Sequence, residues 1–396
     1  MAWKAPERAG ATVFVWANYS LVERNRRWQA VRERAAKAGL DCVFVPLGDG
    51  TDARYLTQLR CSSVVLPTDG RPPIVIADRG SRNEWVTEPW QTSREWTEPM
   101  AQALMEAGME RARIGVAGLK RGQVTHVSAL DGAVNHTAFS EVRRRLPNAT
   151  FEDATDIVGF VRHVKSREES ECLRRGASMA EAAIETLAQL ARPGLDAALL
   201  YARVIERLIV LGSEYYPLAI TCDSIAAQRP MRYAHPPIGR RLGRDSLIQS
   251  EVGAIWGAEL VEAVQPILLG RVPEEWRPVI ELQREVFEEG LRWMRPGTTL
   301  GALIDRVNGF GAKRGMRTAI SLKGCGYGDD GPILTPGSEA GAARSLTIDK
   351  GNVFVWRPLA ASADGRMQFV WGGAVEVGDE GGRPLFERAH GMISVA

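Results

Sequence analysis

The chain has little that would hold a metal cluster or a disulfide framework. Its five cysteines (Cys42, Cys61, Cys172, Cys222 and Cys325) lie far apart and make no C-x-x-C pair. That spacing excludes a zinc knot and a stapled secreted fold, and a reduced, cytoplasmic setting is the expectation. No apolar run nears the roughly 20 residues that span a bilayer. The first residues, MAWKAPERAGATVFVW, have no signal-peptide core, so neither membrane nor secretion is expected. Net charge is also scarce. The 50 Lys and Arg nearly cancel the 48 Asp and Glu, leaving +2. The densest basic run, Arg143-Arg144-Arg145, is short, and nothing points to nucleic acid.

What remains is an ordinary globular composition, 45% hydrophobic and 25% charged over 396 residues, enough for two or three domains. Residues 1–20 read as an extended lead-in. Helical spacing follows over Leu21–Ala38, then a short apolar strand at Asp41–Pro46, a helical turn at Asp52–Gln58 and a second strand at Ser62–Pro67. Thr68-Asp69-Gly70-Arg71 is a hairpin turn leading to a strand at Pro73–Ala77. A helix at Met100–Glu110, a strand at Ala112–Val116 and a helix at Phe139–Leu146 complete a pattern of alternating elements, that of a small α/β domain over residues 1–157.

Residues 158–396 have a different character. Ser166-x-x-Glu169 is a capping box that opens a helix to about Leu190. Arg192-Pro193-Gly194 then leads into a helix, Leu195–Leu211, ending at Gly212. Arg295-Pro296-Gly297 follows the helix Glu274–Met294 and leads into a helix, Leu300–Arg314, ending at Gly315. Helix, R-P-G, helix and glycine thus recur about 100 residues apart, the mark of a two-halved domain with a cleft between its halves.

Between the repeats lies LIQSEVGAIWGAELVEAVQPILLG, Leu247–Gly270, two apolar runs joined at a turn. A two-residue turn at Trp256-Gly257 sets Glu251 directly opposite Glu262. Two facing carboxylates need a metal, a proton or a cation between them.

Several segments together carry a family resemblance: RHVKSREESECLRRGASMAEAA, the two R-P-G loops, AHPP, EVGAIWGAELVEAVQPILLG, KGCGYGDDGPIL and GNVFVWRP. In their order the chain, over roughly residues 20–390, resembles the creatinase/prolidase/methionine-aminopeptidase family. The resemblance implies an α+β pita-bread catalytic domain with an internal pseudo-twofold repeat, preceded by a smaller creatinase-type α/β domain. It also implies a homodimer.

The metallopeptidases of that family hold two metal ions with two Asp, one His and two Glu. The Asp positions fall on Glu251 and Glu262, with the family's eleven-residue spacing. The His of an H-G-x-G motif falls on Lys323 of Lys-Gly-Cys-Gly. The Glu of an E-P motif falls on Arg357 of Arg-Pro, and the second Glu falls at or near Val370. Lys and Arg are not metal donors, so no metal and no cofactor are expected; the two cations neutralise the two acids instead. His235, in AHPP sixteen residues before Glu251, matches the family histidine that lines the pocket, and in creatinase serves as acid and base.

Lys323 and Arg357 are expected to bind a polar or anionic group of a small-molecule substrate. Tyr327, Asp330 and Trp371 are expected as further pocket residues, Asp330 orienting His235 or binding a cation. Cys325 is expected to be a packed residue, and His126, His136, His163 and His390 structural or surface residues. The expected function is a metal-independent, creatinase-like hydrolase cleaving a C–N bond of a small carboxylate-bearing metabolite, with His235, Glu251 and Glu262 as catalytic groups. Three alternatives stay open: a catalytically silent homologue that binds a ligand or partner, an Xaa-Pro peptidase-like metallohydrolase with atypical ligands, and a cyclase or lyase.

Overall fold

The computed structural model describes residues 18–47, 51–120, 122, 134–227, 237–327, 330–337 and 340–395. Most of the expected lead-in, residues 1–17, lies outside them. The chain divides into two compact units, with the change between Val161 and Arg162.

The first unit runs α1 (Leu21–Lys37), β1 (Cys42–Val45), α2 (Thr51–Thr57), β2 (Ser62–Pro67), β3 (Ile74–Asp78), β4 (Trp90–Thr92), α3 (Thr97–Glu106), β5 (Arg113–Val116), α4 (His136–Arg145) and β6 (Thr150–Asp153), before α5 (Thr155–His163) leads on. Its strands form one mixed sheet in the order β4-β3-β2-β1-β5-β6. Ser20 starts α1, its hydroxyl accepting from the Glu23 amide at 3.2 Å. The helix then buries Arg27, which pairs with Glu23 at 2.7 Å and lies over the rings of Tyr19 and Tyr55. Burial of that guanidinium is tolerable because its charge is balanced by a carboxylate and by two aromatic faces.

The second unit begins with α6 (Arg167–Leu190), α7 (Ala197–Val210), β7 (Ala219–Ser224), β8 (Ser246–Trp256) and β9 (Glu259–Leu269). It continues with α8 (Arg277–Trp293), α9 (Leu300–Gly309), β10 (Arg317–Ala319), β11 (Leu322–Gly324), β12 (Asp330–Leu334) and β13 (Val353–Trp356). The last strands are β14 (Leu359–Ala361), β15 (Gln368–Val370), β16 (Gly373–Val377), β17 (Gly382–Pro384) and β18 (Ile393–Val395). Among the described residues these strands form three sheets, ordered β18-β9-β8-β7, β12-β11-β13-β16-β17 and β10-β14-β15.

The two R-P-G loops are built alike. Gly194 and Gly297 both sit at positive φ, +83° and +86°. Their amides donate to Leu242 and Ile348, at 2.8 and 2.9 Å. Two residues on, Asp196 and Thr299 each cap the following helix through the side chain and each bridge to a distant extended segment, at Arg241 and Thr347. The sequence repeat is therefore a repeat of backbone conformation and of capping, one copy in each half of the unit. Ser166 and Glu169 make the expected capping box at the start of α6.

The β8–β9 hairpin differs from expectation in register. Trp256 pairs with Glu259, so the two turn residues are Gly257 and Ala258, at φ +61° and +67°. Positive φ at both is what a hairpin with right-twisted strands demands. Glu251 consequently faces Val264, and Glu262 faces Gly253. The two acids are diagonal neighbours rather than direct partners. They still share a face, because each strand's pairing moved by one residue and the combined shift is two, a full side-chain period.

All of β9 is buried. Gly176 lets α6 lie close on it, since a Cβ there would meet Val261 at 3.1 Å. Leu260 and Val264 bridge to Gly326 and Gly372, which tie this central strand to the second half.

Candidate functional site

Four of the expected residues converge. Glu251 comes from β8 and Glu262 from β9, in the first half; Lys323 comes from β11 and Arg357 from the residue after β13, in the second. The Lys323 ammonium pairs with Glu262 and lies 3.8 Å from Glu251. The Arg357 guanidinium pairs with Glu251. The side chains of Glu251, Glu262 and Lys323 are at most 5% exposed, and that of Arg357 is 12% exposed. Arg357 is thus the most open member. Its backbone is held by a bond from its amide to Ser321, 3.1 Å.

The two carboxyls also lie close enough to shift each other's protonation. Burial raises both, but the outcomes differ. At Glu251 the Arg357 guanidinium, the Glu262 carboxyl and the Lys323 ammonium overcome burial and hold the carboxyl below its usual range. At Glu262 burial comes first and the Glu251 charge adds to it, against Lys323, so its proton is held up to about 7. The two acids are thus pushed apart, Glu251 down and Glu262 up, as when two carboxyls meet away from water.

Tyr216 completes this side of the site, its hydroxyl donating to Glu262 at 3.2 Å. Its ring lies against Gly253, where a Cβ would come within 2.3 Å of it. Nothing in the sequence singled out Tyr216; the glycine in E-V-G, opposite an acid on the next strand, was the only trace.

Stability should therefore pass through a maximum in mild acid. Ionised Glu251 contributes stability above the ordinary carboxylate value of 4.5 and loses it as pH falls below. Glu262, raised in the fold, contributes stability below 4.5 and loses it as pH rises towards about 7. Glu262→Gln keeps a donor towards Glu251 and removes the second slope. Urea denaturation of both proteins between pH 4.5 and 8 checks this; equal slopes in that range would contradict the protonation assigned to Glu262.

Asp330 belongs to a second buried cluster. It pairs with Arg162, and Lys165 lies 3.9 Å from it and 3.3 Å from Glu259. All four are buried. Its carboxylate is thus engaged by two cations of the chain itself. Arg162, Lys165 and Glu259 were not legible as a site, because their partners are up to 168 residues away. Cys325 lies between the two clusters, within the electrostatic reach of Lys165, Glu262, Lys323 and Glu259. Burial pushes its thiol far up and leaves it a packed neutral group.

Tyr327 is buried beside this turn. Trp371 is also buried, its indole donating to Gln265 at 3.0 Å and its ring meeting His390 at 4.6 Å. Behind it Gln283 donates to Pro358 and Trp371 carbonyls at 2.9 and 2.7 Å, stapling the segment after Arg357 to the segment around Trp371. Burial first, then Lys165 and Arg284 respectively, lower His163 and His390 to about 4, so both rings are neutral. His235 and His126 lie outside the described residues.

The donor set does not fit a pair of divalent metal ions. Such a centre needs several anionic or neutral donors, and here both carboxylates are already taken up by an ammonium and a guanidinium. Among the described residues no group of three or more His, Cys, Asp or Glu is placed to hold an ion. Nor is any helix long and apolar enough to cross a membrane.

A duplicated α+β unit, with acids from one half meeting cations from the other, defines the class as a pita-bread domain. Residues 171–380 match the model of metallopeptidase family M24, and the chain belongs to that family. It is 26% identical over 172 residues to a Sinorhizobium fredii protein named "Uncharacterized hydrolase/peptidase y4tM"; the match spans 42% of this chain and 44% of that relative. Among solved structures it is similar to a dipeptidase from Pyrococcus horikoshii, with TM-score 0.74 at 16% identity over 93% of this chain and 100% of that one. It is also similar to an Xaa-Pro dipeptidase from Bacillus anthracis, with TM-score 0.73 at 14% identity over 94% and 100% of the two chains. At these identities the likeness concerns the fold.

Proposed function

We propose that this chain is a metal-independent hydrolase of the M24 family that cleaves a C–N bond in a small, carboxylate-bearing metabolite. One observation carries the reading: the Lys323 ammonium lies against both Glu251 and Glu262, the two positions that by the resemblance correspond to metal-ligand positions of the family's metallopeptidases. The names of the structural neighbours support the substrate class, since an Xaa-Pro dipeptide is itself a small molecule with a scissile C–N bond and a carboxylate.

In this reading Arg357, the most open of the four, grips the substrate carboxylate as a planar fork. Lys323 keeps the acids together without a metal. Ionised Glu251 orients the attacking water. Glu251 takes the proton the water loses as it attacks, and Glu262, raised to about 7, gives its proton to the departing nitrogen. His235 is the proton shuttle on the nitrogen side, assigned from its place in AHPP. Water adds to the carbon, the C–N bond breaks, and the nitrogen leaves with the proton.

The test combines elemental analysis with a substrate screen. Purified protein should contain no stoichiometric zinc, manganese or cobalt. It should turn over at least one carboxylate-bearing amide or amidine at a rate that chelator does not change. Bound metal at one or two ions per chain, or Xaa-Pro cleavage abolished by chelator, would overturn the proposal. A catalytically silent, ligand-binding relative is the second reading, favoured by the closure of the ion network on itself. A substrate whose turnover disappears in a folded His235→Ala protein decides for the enzyme.

A further inference from the structure

Beside the start of α6 the second unit holds a cavity of about 460 Å³ that the proposed reaction does not use. One side of it is a stripe of α6, Arg167, Ser170 and Arg174, at the three- and four-residue steps that put side chains on one helix face. The other side is formed by Glu376 on β16, Asp379 in the turn that follows, Arg383 on β17, and Lys350 ahead of β13. Val377 is the one hydrophobic side chain among the described residues of the wall. The volume is that of a small-molecule site, and a wall so polar suits a charged ligand.

The sign of that ligand follows from the charges of the wall, five cations against two acids. Both acids are taken: Arg174 pairs with Glu376, and Lys350 with Asp379 at 2.8 Å. Lys165 is committed to Glu259 at 3.3 Å, and Arg167 to Glu171 at 3.0 Å. Arg383 is left over, and among the described residues it pairs with no acid. Its guanidinium lies over Gly378, where a Cβ would come within 3.1 Å of Nε and 3.2 Å of Nη2. Gly378 is not at positive φ, so its backbone does not demand glycine. The missing side chain instead gives the guanidinium its seat in the wall.

The helix side adds two donors. Ser170 is 4% exposed, and its hydroxyl has no hydrogen-bond partner among the described residues. It is not sealed into the packing, because Ser170 forms part of the cavity wall. A hydroxyl kept from bulk water without a partner is unfavourable, and a ligand oxygen relieves that cost. The second donor is a backbone amide. The capping box takes the amides of Ser166 and Glu169 and leaves that of Arg167, at the positive end of a 24-residue helix. A buried hydroxyl, a helix amino end and an unpaired guanidinium together make a site for an oxyanion. A phosphate group presents three acceptor oxygens to three such donors, one more than a carboxylate does. Phosphate alone leaves most of the volume open, so an organic remainder has room.

We propose that this cavity binds the phosphate group of a small phosphorylated metabolite, with Ser170 and the amino end of α6 on one side of the phosphate and Arg383 on the other. Isothermal titration of the full chain with inorganic phosphate, at constant ionic strength and with chloride as the control, tests it. One phosphate per chain should bind, in the millimolar range or tighter. Arg383→Gln and Ser170→Ala should each weaken binding by about tenfold. Gly378→Ala removes no charge, but it takes the seat of the guanidinium and should weaken binding as well. Ribose 5-phosphate should bind at least as tightly as phosphate, because the cavity has room for the sugar. Circular dichroism checks the fold of each variant, and Arg383 is exposed, so its replacement leaves the core intact. A chain that binds no phosphate in the millimolar range overturns the proposal. So does binding that survives both Arg383→Gln and Ser170→Ala, or a chain that takes phosphate and excludes the sugar phosphate.

Discussion

Lys323→Ala is expected to lower the free energy of unfolding by about 3–5 kcal/mol, the usual range for removing one partner of a buried ionic cluster. The reason is geometric. Lys323 is the cation that both carboxyls share, and its side chain is only 5% exposed. Without it Glu262 is left beside Tyr216 and Glu251, with positive charge only from Arg357, which is itself paired with Glu251. Adding Glu262→Gln to Lys323→Ala should recover part of the loss, because the side chain left facing Glu251 can then no longer ionise. The double variant should thus lose less than the two single losses combined. Urea denaturation at pH 7 measures all three. A loss below about 1 kcal/mol for Lys323→Ala is the result expected of a solvated surface pair, and it would remove the basis for the proposed site.

Asp330→Ala is expected to be as damaging, again about 3–5 kcal/mol. It removes the carboxylate that Arg162 pairs with and that lies 3.9 Å from Lys165, which keeps Glu259 at 3.3 Å. A local signature should accompany the global one. Cys325 is buried, and its thiol lies within reach of both Lys165 and Lys323. Loosening the second cluster should expose it to thiol reagents in the native state. Labelling of Asp330→Ala against the parent protein, with Cys61 replaced by Ser to remove the exposed thiol, gives the readout. Continued protection of Cys325 alongside full stability would show that the cluster does not hold this turn.

Long, strongly patterned elements were legible in the sequence, and short or long-range ones were not. The capping box at Ser166 and both R-P-G loops carry local signals of adequate strength, and the structure shows them as expected. β4, β10, β14, β15, β17 and β18 are three residues each, too short for any periodicity. The β8–β9 turn was misplaced by one residue because Gly257-Ala258 puts a non-glycine residue at φ +67°, a choice without a sequence signature. The four central charged residues were found because motifs marked them. Tyr216, Arg162, Lys165 and Glu259 were missed because only the fold brings them to their partners.

The placement of charge in the two halves also bears on how the domain can change. β8 and β9 bring both acids, and β11 with the residue after β13 brings both cations. At this site each half therefore contributes groups of one kind, and acids and cations meet only across the halves. Separated, the first would have to enclose two carboxyls and the second an ammonium and a guanidinium, all in low dielectric. Removing either half would leave the other's buried groups at this site without the partners they have in the intact domain.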